Sequence, residues 1–125
     1  MELTPFFRSV LEQDDAPVVL CDLAHTILYM NPSAVLHYQR QGGAALVGKN
    51  LLACHSPAAN RKIAEVLAYF ASSPEHNKVY TFRNTEENKD VYMIALRDEN
   101  GTLIGYYEKH VYRTPETGAL YRMED

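Results

Sequence analysis

The chain has 125 residues, 46% of them hydrophobic and 22% charged, with a formal net charge of -4. That length fits one domain with a real core, and the composition is that of a globular protein rather than a disordered one. No basic block favours nucleic-acid binding, no apolar run reaches the roughly 18–20 residues of a membrane span, and the Met1–Pro5 start lacks the basic and apolar segments of a secretion signal, so a cytoplasmic location is expected.

Thr4-Pro5 reads as an N-cap followed by a proline in the first helical turn. Leu3, Phe6, Phe7, Val10 and Leu11 recur at helical spacing, and the helix is expected to end near Asp14-Asp15. Two phenylalanines on so short a helix require that it dock on the domain or on a second copy. Residues 17–23 are apolar and β-branched, and Asp22-Leu23-Ala24-His25 suits a tight connection to a second strand over 26–30. Asn31-Pro32 caps a short helix running to about Tyr38, which the polar stretch 39–43, with its two glycines, ends. Short helical turns are expected over 44–53. Ser56-Pro57 opens the longest helix, with Ile63, Val66, Leu67 and Phe70 on one face, and Ser72-Ser73-Pro74 closes it.

A third strand follows over 78–83, then a polar loop over 85–88. Val91, Met93 and Ala95 alternate with Tyr92, Ile94 and Leu96, so both faces of the next strand are apolar. Arg97-Asp98-Glu99-Asn100-Gly101 supplies turn chemistry, and 103–112 returns antiparallel with Tyr106, Tyr107, Val111 and Tyr112. Short connections make the sheet antiparallel and the fold class α+β. Helices between the second and third strands must cross one face, giving a cup that can close over a small ligand.

Over residues 14–112 these features resemble the PAS sensor domain. The resemblance rests on 16–22 followed by Ile27-Leu28-Tyr29-Met30-Asn31-Pro32-Ser33-Ala34, which looks like the first hairpin and "N-P-x-A". Leu46-Val47-Gly48-Lys49-Asn50-Leu51 is similar to "L-x-G-x-x-L", and Arg97–Gly101 to the turn between the last two strands. A narrower similarity is to PAS domains with a Cys-His-x-Pro segment, here Cys54-His55-Ser56-Pro57, which often sit beside hemerythrin-like or transcription-regulator modules. The resemblance implies a five-stranded antiparallel sheet in the order 2-1-5-4-3, with helices packed across one face. It also implies sensing of a small ligand or a partner, and homodimerisation through the N-terminal helix. The family's usual "D-I-T" exit is replaced by Tyr112-Arg113-Thr114, so an output protein or module is expected outside these residues. The expected organisation is a single domain, 1–125, with an N-terminal helix (1–15), a core (16–112) and a polar tail (113–125).

No motif of a hydrolase, a metalloprotease, a phosphate loop or an EF-hand occurs, so the domain is expected to be noncatalytic. Candidate ligand-binding residues are Cys54, His55, Ile63, Leu67 and Phe70 on the helical wall, with Tyr92, Ile94, Tyr106 and Tyr107 on the hairpin. The same stripe also fits plain core. Cys21 and Cys54, far apart, read as two buried thiols. Some PAS domains hold haem through a histidine on the corresponding helix, but for His55 the favoured reading is a hydrogen bond to the backbone that pins the loop before Ser56, and no metal site is expected. Adjacent Cys54 and His55 are expected on different faces. The alternatives are a ligand-free dimerisation and docking module, a haem sensor, and a small α+β enzyme with an acid in an apolar pocket. Glu108 is the one acid placed for that last role.

Overall fold

The structure, a computed structural model, describes residues 1–122; the last three residues of the expected polar tail, 123–125, lie outside them. Val19–Asp22 (β1), Ile27–Met30 (β2), Lys78–Asn84 (β3), Lys89–Arg97 (β4) and Leu103–Tyr112 (β5) form one antiparallel sheet in the order β2-β1-β5-β4-β3. This is the order that the resemblance implies.

The β4–β5 hairpin sets the register, with Met93 opposite Glu108 and Ala95 opposite Tyr106. Its turn is held by Asp98, whose Oδ1 accepts from the backbone N–H groups of Asn100 and Thr102, while Gly101 takes a φ of +83°. A side chain there would be strained. Across β5 lies β1, so close at Gly105 that a Cβ on it would stand 2.2 Å from the Cys21 carbonyl oxygen. Glycine is required for that strand pair to form.

Helix α1 spans Thr4–Glu12, α2 spans Pro32–His37 and α3 spans Pro57–Ala71, with 3-10 turns at Gln39–Gln41, Gly43–Leu46 and Leu51–Cys54. Thr4 is the first helical residue rather than the N-cap. Leu3 holds the cap position and has no side-chain acceptor, so Glu2 accepts from the Thr4 N–H instead. The helix stops at Glu12, before the acid pair, and just beyond it the Asp14 side chain reaches forward to accept from the Ala16 N–H. The other two caps form as the sequence suggests: Asn31 accepts from Ala34 and Ser56 from Ala59.

Asn31 is fully buried and does more than cap. Its Oδ1 accepts from Val18 and Ala34, and its Nδ2 donates to the carbonyls of Leu11 and Ala16 at 2.9 and 3.0 Å. One amide therefore joins the end of α1 to the start of β1 and the start of α2. Helix α1 buries none of its residues, so this amide is a main tie between that helix and the sheet.

The segment after α2 is stitched along β2 by backbone bonds, Gly48 to Ile27, Ile27 to Lys49 and Leu51 to His25. Strand β2 would otherwise be an open edge. Helix α3 then crosses the sheet with Ile63, Val66 and Phe70 turned inward. The core lies between that face and Cys21, Met30, Met93 and Tyr106 of the strands.

A cavity between helix and sheet

Beneath the first half of α3 the helix and sheet do not meet. A cavity of about 210 Å³ remains there. Its floor is Val19 and Cys21 of β1, Ile27 and Met30 of β2, Met93 of β4 and Tyr106 of β5, and its walls include Tyr38, Leu46, Leu51 and Ile63. A second hollow of about 190 Å³ adjoins it, sharing His55, Ile63, Met93 and Glu108, with half-exposed Phe82 on its outer side.

Strand β5 gives the cavity its polarity. A strand turns every second side chain to the same face, so Tyr106, Glu108 and His110 all face inward and line it in sequence. The Tyr106 hydroxyl is fixed by His25 Nδ1 at 2.8 Å. Burial pushes the Cys21 thiol beside it up to about 11 and the Tyr38 phenol up to about 12, so both are neutral near pH 7. Burial raises the Glu108 carboxyl as well, against the lowering charges of His55, Lys89, His37 and Lys62. Nearly half of the Glu108 side chain is nonetheless accessible, because it faces open cavity rather than packed atoms.

His110 Nε2 stands 3.6 Å from Glu108 Oε1, and its ring is almost wholly buried. Burial, and then the charges of Lys89 and His37, push His110 down to about 4. It is therefore neutral near pH 7, and its Nδ1 is buried with no hydrogen-bond partner. Among the described residues no group of three or more His, Cys, Asp or Glu side chains is placed to hold a metal ion.

Of the residues proposed from sequence, Cys54, His55, Ile63 and Tyr106 line this cavity. His55 Nδ1 also donates to the Leu51 carbonyl at 2.9 Å, pinning the turn before Ser56. Cys54 is exposed, contrary to the expectation of a buried thiol, because the Leu51–Cys54 turn carries it to the rim. Cys54 and His55 share the cavity rather than facing apart, since the chain leaves the 3-10 turn for extended backbone at His55.

Tyr92 and Ile94 are on the wrong side of the sheet. Met93 faces inward, so its neighbours face out; Tyr92 stacks on Tyr80 at 5.0 Å under the Lys78 ammonium, and Ile94 pairs with Tyr107, which is outward as well. Leu67 and Phe70 lie outside the cavity lining: Phe70 is fully buried and Leu67 packs against the core. The residues missed include Met30, Met93 and His110, while Glu108, singled out only for the enzyme alternative, does line the cavity. Once Tyr106 is known to point inward, the two-residue period places Glu108 and His110 beside it.

No protein-family profile matches the sequence, and no curated protein matches it. Solved structures do. The PAS domain of a Colwellia psychrerythraea protein superposes with a TM-score of 0.65 at 14% identity, covering 89% of this chain and 97% of that one. The Vibrio cholerae Aer2 receptor, described as a dual PAS-haem oxygen sensor, gives 0.54 at 23% identity, covering 78% and 94%. The VqmA dimer of Vibrio cholerae gives 0.60 at 14% identity, covering 91% of this chain and 53% of that one.

Proposed function

We propose that this chain, which has the PAS fold, is a noncatalytic sensory domain that takes a small molecule into the cavity beneath α3 and relays its presence to a partner. The observation that carries this reading is the connection between the cavity and Asn31. Val19, Ile27 and Met30 line the cavity, Asn31 follows Met30 directly, and its amide holds the end of α1. A ligand that shifts β1 and β2 would therefore bias the position of α1, provided that it binds the two arrangements unequally.

The size of the cavity bounds the ligand. Sites for drug-sized molecules run to about 300–1,000 Å³, so at about 210 Å³ this one suits something smaller. A tetrapyrrole exceeds that volume, which disfavours haem here although Aer2 is described as holding it. Glu108 does line the cavity, as an enzyme would require. We read it as a binding group, because His110 Nε2, at 3.6 Å, is beyond hydrogen-bond distance and the carboxylate has no side-chain partner among the described residues with which to share a proton transfer.

Helix α1 supports dimerisation. Phe6, Phe7 and Val10 are each more than half exposed, and a second α1 would cover them. Sedimentation should show a dimer that Phe7→Glu dissociates. Native mass spectrometry of gently purified protein tests the sensing reading. A stoichiometric small molecule, absent from an Ile63→Phe variant that fills the cavity, supports it. An empty protein that also binds no small molecule in solution leaves docking as the function.

A further inference from the structure

We infer that the ligand of this cavity is a small primary amine: an apolar body about the size of a benzene ring with an ammonium head that meets Glu108. This rests on the sensing reading above and names the chemistry of its ligand.

The argument begins with what the cavity lacks. Glu108 is its one carboxylate, and no lysine or arginine lines it. Two lysines come near but are engaged elsewhere: Lys62 Nζ donates to the Thr81 carbonyl, and buried Lys89 pairs with Glu87 at 3.4 Å. His110 Nε2, at 3.6 Å, is beyond hydrogen-bond distance, so the carboxylate faces the cavity without a donor of its own. Beside it, buried His110 Nδ1 is unpartnered too. Neutral His110 keeps one ring N–H, so the acceptor left unmatched at this end is the Glu108 carboxylate. An ionised carboxylate only accepts, whereas an ammonium brings three donors and the opposite charge. The direction of the Glu108 shift agrees with this: desolvation raises it despite the lowering charges of His55, Lys89, His37 and Lys62, and a bound cation would favour the charged form.

The rest of the lining selects the body. Val19, Ile27, Met30, Leu46, Ile63 and Met93 are apolar. A dry apolar cavity of about 150 Å³ accepts benzene. The volume here leaves room beyond a single ring for about two more heavy atoms, enough for a methylene and an amine.

Calorimetric titration at pH 7 with benzylamine, benzyl alcohol and benzoate separates the possibilities. The expected order is benzylamine tightest, at least tenfold ahead of the alcohol, with benzoate weakest, and E108Q should remove the preference for the amine. An alcohol or acid that binds as well as the amine, or an E108Q variant that keeps the preference, overturns the amine assignment while leaving the sensing reading in place. If none of the three binds to protein shown to be empty, the amine assignment falls, and the sensing reading is decided by the native mass spectrometry above.

Discussion

At its C-terminal end α3 is seated. Phe70 is fully buried, and the Arg97 guanidinium reaches under the helix terminus to donate to the carbonyls of Phe70, Ser73 and His76 at 2.7, 3.0 and 3.2 Å. The Phe70 carbonyl is one of those a helix end leaves without a partner, whereas Ser73 and His76 belong to the loop after it. A cation suits the negative end of the helix dipole. Two turns earlier, Ile63 on the same helix face borders about 210 Å³ of space, with Glu108 and His110 across it. One end of the helix is fastened by packing and hydrogen bonds. The other is a roof. Close packing and open space are thereby separated along a single element.

If that separation holds, substitutions at the two ends should differ sharply. Phe70→Ala, at the seated end, should cost about 3–5 kcal/mol in urea unfolding, since it removes a fully buried ring and leaves a void. A loss under about 1 kcal/mol would mean that this end is no better packed than the other.

The next effect is one of pH and belongs to the cavity end. His110 is held near 4 in the fold, below its ordinary value of 6.5. Between those values the unfolded chain takes up a proton that the fold refuses, so stability falls as pH drops from about 6.5 to about 4. Lys89 and His37 work in that direction, while Glu87 opposes it. Glu108, raised by burial, takes up its proton earlier in the fold than in the unfolded chain and so offsets part of the loss. A His110→Leu variant should therefore lose about 2–3 kcal/mol less than the parent over that range. Parallel stability curves for the two proteins would place this pH dependence elsewhere.

The smallest effect tests the roof itself. Ile63→Phe adds volume where space already exists, so its unfolding free energy should stay within about 1 kcal/mol of the parent, and small-molecule binding should be lost. In a filled core the same change would cost about 1–3 kcal/mol through overpacking.

Much of the fold is legible in the sequence because its signals are local. Asn31 and Ser56 cap helices where polar residues precede proline, and Asp98 with Gly101 makes the turn that aligns β4 and β5. The site is less legible, for two physical reasons. Helical spacing identifies the inward face of α3, but Ile63 and Phe70 look alike on that face, and nothing in the periodicity reports that the helix stands off the sheet at one and rests on it at the other. On β4 both faces are apolar, so alternation could not choose between Tyr92 with Ile94 and Val91 with Met93. Pairing with β5 chooses. Of the polar members of the site, Glu108 is legible as the one acid in a core strand, while His110 reads as an ordinary strand residue until Tyr106 is seen to point inward.

The difference between the two ends can be observed directly by titrating benzene into protein with carbon-13 labelled methionine and alanine methyl groups. Met30 and Met93 line the cavity, Ala34 is fully buried outside it, and Met1 is exposed. Saturable shifts at Met30 and Met93, with Ala34 and Met1 unmoved, are the predicted result. Shifts that fail to saturate, or that appear equally at Ala34, would contradict a cavity confined beneath the first half of α3.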